Sequence, residues 1–576
     1  MNASQYRIDC PGSSLSGATA RFAAQEAQRY LARMLPQGGM NVELRICENA
    51  QLRYDGFRVL WRDGTATIES RVERGLLFGV YSLLEKLGCR FLFPRPEWEV
   101  VPHLSALPAL EAEWTEQPIL EFRGLCLYGV HAGTEAVTLQ TIDWMAKNRF
   151  NLLLAAENRP CDAVQGAHAI LYGEVTERIT PELKKRGMLL DMSEHSTDYF
   201  FPRDSLFPSH PEWFSLIDGE RRPYQMCYAN EAAVAYYAGQ YARYAEEHPE
   251  IDMIGVWPLD GGGYCQCEAC AQPHTIAKAI CKVAQAIREV RPDLAVEYLA
   301  YTPQSFPVPD FPMDENMCAL VCRRTDALAR EWAVKMADTC GAFSFEYNSG
   351  DHYCWRANPW IHPAYFRSAV NTIAALGYRG IVSLYLPITA WWQASINLHF
   401  MRLAAWNPAF DIAAETAALA KDLFGPQAAK GEAAMHALFE QAQAPEMWQR
   451  APFRCLSSFE VDFYRARNQA LDQIHGQAVQ RATQRALDIL NAMPLHQMDA
   501  FARMQHACFS AYAKLQGLYH ALVDCYDGDR DALDGRLEPL FAHLQALQEQ
   551  LGDAFITPEY AKWRLLGRDR DVFDQR

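Results

Sequence analysis

Apolar residues in the middle of the chain fall into short runs that alternate with segments of helical spacing. The predicted strands are Leu120–Tyr128, Phe150–Ala155, Met188–Met192, Met253–Trp257, Ala295–Tyr301, Met317–Cys322, Ala342–Tyr347 and Gly380–Leu386. The predicted helices between them are Thr138–Asn148, Glu231–His248, Ile276–Val290, Ala327–Ala337 and Pro363–Leu376. This α/β alternation over residues 116–405 predicts a central (β/α)8 TIM barrel, with a doubly wound open sheet as the alternative.

The first 115 residues predict a separate N-terminal α/β sandwich domain. The apolar spacing of Ala20–Leu35 indicates a helix, and two strands are predicted to follow it, Val42–Ile46 and Phe57–Trp61. Asp63-Gly64 is a hairpin signal before a third strand that ends at Ser70. A second helix, over residues 74–87, is predicted to end at Gly88, and a proline-punctuated linker covers residues 93–108.

Residues 406–576 predict a C-terminal α-helical domain that closes the barrel pocket or joins two copies of the chain in a homo-oligomer. Segments rich in Ala, Leu and Gln indicate helices over Ala413–Leu423, Lys430–Gln443, Val461–Met493, Gln497–Tyr526 and Asp531–Leu551.

Composition narrows the classes of partner. The 576 residues carry a formal net charge of −16 without a basic block, which argues against nucleic acid and anionic membranes as partners. No apolar run is long enough for a membrane helix, and the N-terminus does not read as a signal peptide. The 17 cysteines lie scattered among apolar residues, which favours reduced thiols and a cytoplasmic location. No glycine-rich dinucleotide motif occurs on a first strand, so no organic cofactor is expected.

Two carboxyl groups follow predicted barrel strands and are the candidate catalytic pair. Asp260 lies in the segment Trp257-Pro258-Leu259-Asp260-Gly261-Gly262-Gly263, and Glu346 lies at the end of the seventh strand. Active sites of (β/α)8 barrels lie at the carboxyl ends of the strands, and glycosidic cleavage needs two carboxyl groups. The alternatives are that Asp260 caps its own turn and that Glu346 forms a buried ion pair with an arginine such as Arg324.

Further polar and aromatic residues are predicted near the same strand ends. Such groups bind sugar hydroxyls and the C–H faces of sugar rings. The candidate substrate-binding residues are Arg123, His195, Trp257, Glu297, Tyr301, Arg324, Asp351, Tyr385, Trp391 and Trp392. A buried ion pair for Glu297, a structural role for His195 and core packing for the tryptophans are the competing interpretations.

Cys265, Cys267 and Cys270 form a CxCxxC cluster directly after the glycine-rich turn. Thiolates at this spacing can bind one tetrahedral Zn²⁺, with a fourth ligand from His274 or from a distant residue such as Cys227. We predict a structural zinc site. Reduced thiols without metal are the main alternative, and redox chemistry is the last.

Two groups of motifs resemble known families. The run Arg74-Gly75-Leu76-Leu77-Phe78-Gly79-Val80-Tyr81-Ser82-Leu83-Leu84-Glu85, followed by Gly88-Cys89-Arg90-Phe91, resembles the N-terminal domain of family 20 hexosaminidases and family 67 α-glucuronidases. The barrel resembles the domain-of-unknown-function 4838 family. Its matching elements are Trp144–Asn151, His210–Phe214, Gln225-Met226-Cys227 with Asn230, and Asp260 with the cysteine cluster.

The resemblance implies a catalytic barrel behind an accessory domain. It also implies an acid at Asp260, where the family 67 enzymes have a glutamate. Family 20 enzymes carry an adjacent Asp-Glu there, whereas this chain has Asp260-Gly261, so their substrate-assisted mechanism does not carry over.

The function hypothesis is an exo-acting glycoside hydrolase that removes a hexosamine, a uronic acid or a related sugar from a small carbohydrate substrate. A uronic acid is included because Arg123, Arg323 and Arg324 could bind its carboxylate. The alternatives are a non-catalytic carbohydrate-binding protein on the same fold and a zinc-dependent hydrolase or lyase.

Overall fold

The computed structural model describes most of the chain, and its residues divide into two compact units. The first unit comprises Met1–Cys89, Val100–Glu346 and Asn371–Ser383, and the second comprises Arg90–Glu99, Tyr347–Val370 and Leu384–Arg576. The described residues are 8–9, 17–48, 51–130, 132–157, 172–259, 263–302, 304–322, 326–346, 361, 363–385, 391–439, 480–525, 538–539, 541–542, 544–546 and 548–550. Within these ranges, no helix combines the length and the apolar character that a bilayer crossing requires.

The first unit begins with a five-stranded mixed sheet in the order β1-β2-β4-β3-β5. Its elements are β1 (Ile8–Asp9), α1 (Ala18–Met34), β2 (Asn41–Ile46), β3 (Phe57–Arg62), β4 (Thr65–Ser70), α2 (Glu73–Lys86) and β5 (Glu113–Glu116). The predicted hairpin is confirmed, because β3 and β4 pair antiparallel around Asp63 and Gly64, which have φ angles of 48° and 76°. Strands β1 and β5 were not predicted.

Glycines in α2 bring this helix close to the sheet. A Cβ atom at Gly79 would lie 2.3 Å from Ile68 Cγ2, and one at Gly75 would lie 2.0 Å from Ser70 Oγ. Any larger side chain would push the helix away from β4. The glycine spacing within the Arg74–Glu85 motif therefore serves helix–sheet packing.

The barrel follows in the same chain. In chain order the next strands are β6 (Phe122–Val130), β7 (Leu152–Glu157), β8 (Leu189–Met192), β9 (Phe214–Ile217), β10 (Glu220–Met226), β11 (Met253–Val256), β12 (Ala295–Ala300), β13 (Met317–Val321), β14 (Ala342–Glu346) and β15 (Gly380–Tyr385). Eight of them form a closed barrel in the order β11-β12-β13-β14-β15-β6-β7-β8. The predicted (β/α)8 barrel is confirmed, and the open-sheet alternative is excluded.

The two remaining strands, β9 and β10, form an antiparallel hairpin inserted after β8. Asp218 and Gly219 turn this hairpin with positive φ angles of 52° and 84°. The Asp-Gly signal was present in the sequence, but the run Phe214–Ile217 is too short to stand out by periodicity.

The helices that accompany the barrel strands are α3 (Glu135–Lys147), α4 (Glu174–Lys184), α5 (Thr197–Phe200), α6 (Arg203–Leu206), α7 (Glu231–Glu247), α8 (Thr275–Val290), α9 (Asp326–Lys335) and α10 (Pro363–Ala375). They include the five predicted ones and three additions, α4, α5 and α6. Helix α4 was missed because Pro181 lies inside it, and an internal proline normally argues against a helix. Short 3-10 turns occur at Pro96–Trp98, Ala132–Thr134, Pro211–Trp213, Gly425–Gln427 and Leu495–Gln497.

Arg123 does not belong to the barrel mouth, and its predicted role in substrate binding is corrected. It is the second residue of β6, and only 1% of its surface is exposed. Its guanidinium donates to Asp55 Oδ2 at 2.7 Å and to the carbonyl oxygens of Arg149 and Leu120 at 2.9 Å. Arg123 therefore connects the amino-terminal end of a barrel strand to the N-terminal sheet, a position that serves stability in this fold.

The second unit is largely helical. Its helices are α11 (Trp391–Trp406), α12 (Ile412–Phe424), α13 (Ala428–Phe439), a helical stretch at 480–491 and α14 (Ala500–Cys525). The predicted C-terminal helices are confirmed where they are described. Most of Val461–Met493 and of Asp531–Leu551, together with the ends of Lys430–Gln443 and Gln497–Tyr526, lies outside the described residues.

Trp391 and Trp392 belong to the core of this unit, which corrects their prediction as walls of a sugar pocket. Trp391 is 1% exposed and packs edge-on against Phe93 and Trp98. Trp392 is fully buried, and its Nε1–H donates to Gln505 Oε1 at 2.9 Å. Both tryptophans start α11, a helix that the sequence pattern did not predict.

Candidate active site

Strand register decides which side chains face the barrel interior. Asp191 pairs with Met253 across β8 and β11, and Gly255 pairs with Glu297 across β11 and β12. Because side chains alternate along a strand, Asp191, Gly255 and Glu297 share one face. Cys126 of β6 lies within electrostatic range of both carboxyl groups. Since β6 lies across the barrel from β12 in the closed order, the shared face is the interior.

Asp191 and Glu297 form a fully buried carboxyl pair on this inner face. Their side chains are hydrogen-bonded to each other. Apart from each other, Asp191 Oδ2 and Glu297 Oε2 have no hydrogen-bond partner among the described residues. Two carboxyl groups can share a hydrogen bond only when one of them carries a proton. The pair therefore holds at least one proton.

Trp257 and Ser193 complete the surroundings of the pair. Trp257 Nε1–H donates to Glu297 Oε1 at 2.8 Å, and the Ser193 hydroxyl donates to Asp191 Oδ1. Gly255 makes room for both, because a Cβ atom there would lie 2.5 Å from Ser193 Cβ and 2.7 Å from Trp257 Nε1. Trp257 is only 2% exposed. Trp257 and Glu297 were predicted as direct substrate ligands. The structure instead places them as buried groups beneath the barrel mouth.

Burial sets the charge of this pair. It raises the pKa of Asp191 to about 7, against an ordinary value of 3.8. Burial, together with the nearby Asp191, raises the pKa of Glu297 well above its ordinary value. An unpaired carboxylate is costly in an apolar interior, so the protonated form is favoured. At neutral pH the pair behaves as one proton-sharing unit.

His195 lies at the mouth above this pair. Its Nδ1 lies 2.5 Å from the carbonyl oxygen of Pro258, and because a carbonyl oxygen only accepts, Nδ1 is the donor of this hydrogen bond. Its ring lies 5.3 Å from that of Trp257 and 6.2 Å from that of Tyr301. The structure thus brings together three of the predicted substrate-binding residues, with His195 and Tyr301 the more exposed of them.

Glu346 is the last residue of β14, but register places it on the outer face. Cys318 of β13 pairs with Glu297 and therefore faces the barrel interior, as does Leu320 two residues later. Leu320 in turn pairs with Phe343 of β14. Phe345 is therefore an inner residue, and Glu346 shares the opposite face with Ser344. The Ser344 hydroxyl donates to Glu346 Oε1 at 2.6 Å, and Glu346 is 4% exposed. Glu346 does not share a surface with Asp191 and Trp257.

Three of the predicted site residues, Asp260, Arg324 and Asp351, lie outside the described residues. Leu259, which directly precedes Asp260, is described, and so is Gly263, which follows Gly261 and Gly262. Tyr385 is described and fully buried, and burial raises the pKa of its hydroxyl.

The cysteines after β11 form a four-sulfur cluster with Cys227. The Sγ atoms of Cys227, Cys265, Cys267 and Cys270 all lie within 4.8 Å of one another. Cys227 Sγ lies 3.7, 3.8 and 3.6 Å from those of Cys265, Cys267 and Cys270. None of the four forms a disulfide. Four cysteine thiolates so arranged could bind a metal ion.

His274 is not part of this cluster, although the sequence made it the first candidate for a fourth ligand. Its Nε2 lies 3.9 Å from Asp310 Oδ1, and its backbone is left-handed with a φ of 62° just before α8. Cys227, named in the sequence only as a distant alternative, occupies the fourth corner. Hairpin β9–β10 brings it there, and the sequence pattern did not predict that hairpin.

A cavity of about 670 Å³ lies beside the segment between β11 and α8. Its lining includes Tyr228, Tyr264, Gln272, His274 and Gln304. Aromatic rings next to amide side chains suit a sugar, and this volume falls in the range of small-ligand sites.

Comparisons with known proteins define the class of this barrel. Over 97% of this chain, the structure is similar to a GH138 enzyme targeting pectin rhamnogalacturonan II, with a TM-score of 0.60 and 12% identity over 76% of that chain. It is also similar to BtGH115A, a family GH115 4-O-methyl-α-glucuronidase with specificity for decorated arabinogalactans. That match has a TM-score of 0.61 and 11% identity over 96% of this chain and 77% of the other. The fold is glycoside-hydrolase-like.

The family follows from the sequence itself. Residues 93–431 match the family model described as "Domain of unknown function (DUF4838)", and the chain belongs to this family. The structure also has a weaker likeness, with a TM-score of 0.45 and 10% identity, to a GH20 exo-β-N-acetylglucosaminidase from Vibrio harveyi. It covers 70% of this chain and 71% of that one. No curated protein sequence matches the chain.

Proposed function

We propose that this protein is an exo-acting glycoside hydrolase, and one observation carries the proposal. At the mouth of a glycoside-hydrolase-like barrel, His195 and Tyr301 lie above the buried Trp257, beside the strand that leads to Asp260. Val256, the last residue of β11, precedes Asp260 by four positions, where barrel enzymes carry their reacting groups. Asp260 would protonate the leaving oxygen, and His195 Nε2 would accept a hydrogen bond from a sugar hydroxyl.

The proposed substrate is a small glycoside or oligosaccharide with a terminal hexosamine or uronic acid. The cavity of about 670 Å³ has the volume of a small-ligand site, but its lining includes none of His195, Trp257 and Tyr301. Arg324 and Asp351 would contribute polar contacts to the terminal sugar.

The described cysteines are free thiols, which supports a reducing, cytoplasmic location.

Glu346 remains the candidate for the second carboxyl group. In its favour, it ends β14, and two strands separate β14 from β11 in the barrel order, so the two carboxyl groups could flank a bound sugar. Its outer-face position argues against it, because a base or nucleophile must reach the sugar. Variants at the two positions therefore discriminate between a catalytic pair and Asp260 acting with another group.

The test is hydrolysis of a panel of α- and β-linked aryl glycosides of neutral, N-acetylated and uronic sugars. We expect wild type to release the aryl group from one sugar class, and Asp260→Asn to lower kcat by about 10²–10⁴-fold. Glu289→Gln, an exposed change on α8, is the matched control and should retain wild-type activity. An Asp260→Asn enzyme with full activity would refute the acid assignment, and full activity in Glu346→Gln would assign Glu346 a structural role.

A carbohydrate-binding protein without catalysis is the second candidate, and the outer-face position of Glu346 favours it. In that case no glycoside is cleaved, and Asp260→Asn binds sugar about as tightly as wild type. Isothermal titration with the same sugars measures this outcome directly.

We also propose that the four-cysteine cluster binds Zn²⁺. A tetrahedron with metal–sulfur bonds of about 2.3 Å has edges of about 3.8 Å. The three distances from Cys227 Sγ, 3.6 to 3.8 Å, match such an edge. Four thiolates fill a tetrahedral shell and leave no position for substrate, so the ion would be structural. This favours the glycosidase over a zinc-dependent hydrolase or lyase.

A further inference from the structure

Strand β10 contacts both sides of the three-residue segment that contains Asp260. On the amino-terminal side, the buried Gln225 donates through Nε2 to the carbonyl oxygen of Leu259 at 2.7 Å. On the carboxyl-terminal side, Gly263 packs against Tyr224, where a Cβ atom would lie 1.9 Å from the ring. The φ of Gly263 is 69°, a conformation that favours glycine. Strand β10 therefore holds Leu259 and Gly263, the described residues on either side of this segment.

Hairpin β9–β10 is a two-stranded sheet, and such hairpins are marginally stable by themselves. Polar contacts tie it to the chain after β11. Gln266 N–H donates to the Leu216 carbonyl at 2.8 Å, and Asp218 N–H donates to Gln266 Oε1 at 2.9 Å. Leu216 N–H also donates to Cys265 Sγ at 3.3 Å. These contacts join the hairpin to the loop.

The four-cysteine cluster lies at this junction and takes one sulfur from the hairpin side. Cys227 follows β10 directly, whereas Cys265, Cys267 and Cys270 belong to the loop after β11. Cys270 N–H donates to Cys267 Sγ at 3.4 Å, and the Arg221 guanidinium lies 3.9 Å from Cys265 Sγ. N–H groups directed at sulfur stabilise thiolates, the form that binds metal.

We infer that a metal ion bound by these four cysteines clamps hairpin β9–β10 to the loop after β11 and thereby fixes Leu259 and Gly263, the described residues that flank the Asp260 segment in sequence. The inference rests on the proposed function only in assigning catalysis to Asp260. The clamp itself is a property of the four cysteines, Gln225 and Gly263. The ion takes no part in bond cleavage, because its ligands leave no open position.

The first measurement is metal content by mass spectrometry of the full-length protein as isolated under reducing conditions. We expect about one zinc ion per chain in wild type and a loss of most of it in Cys227→Ser. Cys340→Ser is the matched control, because Cys340 is a partly exposed thiol outside the cluster that donates a hydrogen bond to the Glu315 carbonyl oxygen. The Cys340→Ser protein should retain the metal. A wild-type protein without metal that takes up no added Zn²⁺ would overturn the inference.

The second measurement is hydrogen–deuterium exchange before and after the zinc is removed with a chelator. Exchange should rise in peptides covering residues 214–230 and 253–275 and stay unchanged in β12, and added Zn²⁺ should restore protection. Reversible removal keeps the test valid if Cys227→Ser does not fold. Unchanged exchange in both peptides after removal would refute the clamp even if zinc is present.

Activity then separates the two proposals. If wild type is a glycosidase, zinc removal should lower kcat by at least about tenfold and re-addition should restore it. If no sugar is cleaved but the exchange difference is found, the clamp stands and the glycosidase proposal fails. If activity is unaffected while zinc is fully removed, the link between the clamp and catalysis fails.

Discussion

Two buried carboxyl sites in the first unit have the same residue chemistry and opposite charge states. Asp55 is fully buried between the N-terminal sheet and the barrel, where Arg74 Nε and Arg123 Nη2 donate to its Oδ2 at 2.9 and 2.7 Å. Burial opposes its ionisation, but the two arginines outweigh burial, and the pKa of Asp55 lies below its ordinary value. Asp191 and Glu297 lie as deep, but they face each other, and burial raises their pKa values.

The difference shows that depth alone does not decide whether a carboxyl group is charged. Two guanidinium partners lower the pKa of Asp55 and keep it charged at neutral pH, so it joins two parts of the unit. Burial without such a partner raises the pKa of Asp191 to about 7, so its protonation state changes near neutral pH. The first arrangement serves stability, whereas the second lies beneath Trp257 and His195, on the side of the barrel where chemistry is expected.

The largest expected effect comes from breaking the Asp55 site. Asp55→Asn leaves the Arg123 guanidinium buried without its counter-charge and should lower the free energy of unfolding by about 3–5 kcal/mol. Urea denaturation followed by circular dichroism measures this change. Glu111→Gln, which breaks an exposed pair with Lys86, is the matched control and should unfold with wild type. Equal midpoints for Asp55→Asn and the control would show that the Asp55 site contributes little.

The second prediction concerns pH and the carboxyl pair. The folded-state pKa values of Asp191 and Glu297 are raised, so folding takes up protons above about pH 4. Their contribution to stability is fully present below the unfolded pKa values and is lost as pH rises, with the part from Asp191 ending near pH 7. For each protonated group the slope is about −1.4 kcal/mol per pH unit. Asp55 gives the opposite slope, since its contribution is lost as pH falls below about 4.

Glu297→Gln tests this interpretation with little change in shape. The amide oxygen can still accept from Trp257, and its N–H can donate to an ionised Asp191. The fall in unfolding free energy between about pH 4.5 and 7 should therefore be much smaller than in wild type. Asp310→Asn, an exposed change, should follow the wild-type curve. Parallel curves for Glu297→Gln and wild type would contradict a shared proton.

The smallest effect is expected at Gly255, the glycine beside the pair. Gly255→Ala would place a Cβ atom against Ser193 and Trp257 and should cost about 1–3 kcal/mol of stability. Gly239→Ala is the matched control, because Gly239 is exposed in α7 with no neighbouring atom within 4 Å. That control should stabilise the protein by about 0.5–1 kcal/mol. Thermal unfolding monitored by fluorescence ranks the two variants, and equal destabilisation would argue against close packing around the pair.

Much of the fold could be predicted from the sequence because barrel strands are continuous apolar runs. All eight were located to within about two residues at each end, since strands buried on both faces contain few polar residues. Hairpin β9–β10 and helix α4 were missed. Four residues give too short a pattern in β9, and Pro181 contradicts the helical pattern of α4.

The candidate site was harder to predict, because nearness to a strand end does not say which way a side chain points. Arg123 begins its strand and Glu346 ends one, yet both lie on outer faces. Trp391 and Trp392 come soon after the eighth barrel strand in sequence, but they start a helix and are buried. Cys227 is 38 residues from Cys265, and only the hairpin turn brings the two sulfurs to 3.7 Å.

The sequence by itself determined the local features of this protein: the eight apolar strand runs, the CxCxxC spacing and the glycines that packing and turns require. These depend on neighbouring positions and on the intrinsic preferences of each residue. Only the tertiary structure decided that Asp55 is charged, that Asp191 and Glu297 share a proton, and that Cys227 completes the sulfur cluster. Charge state and ligand geometry depend on groups that are distant in sequence and become neighbours only when the barrel closes.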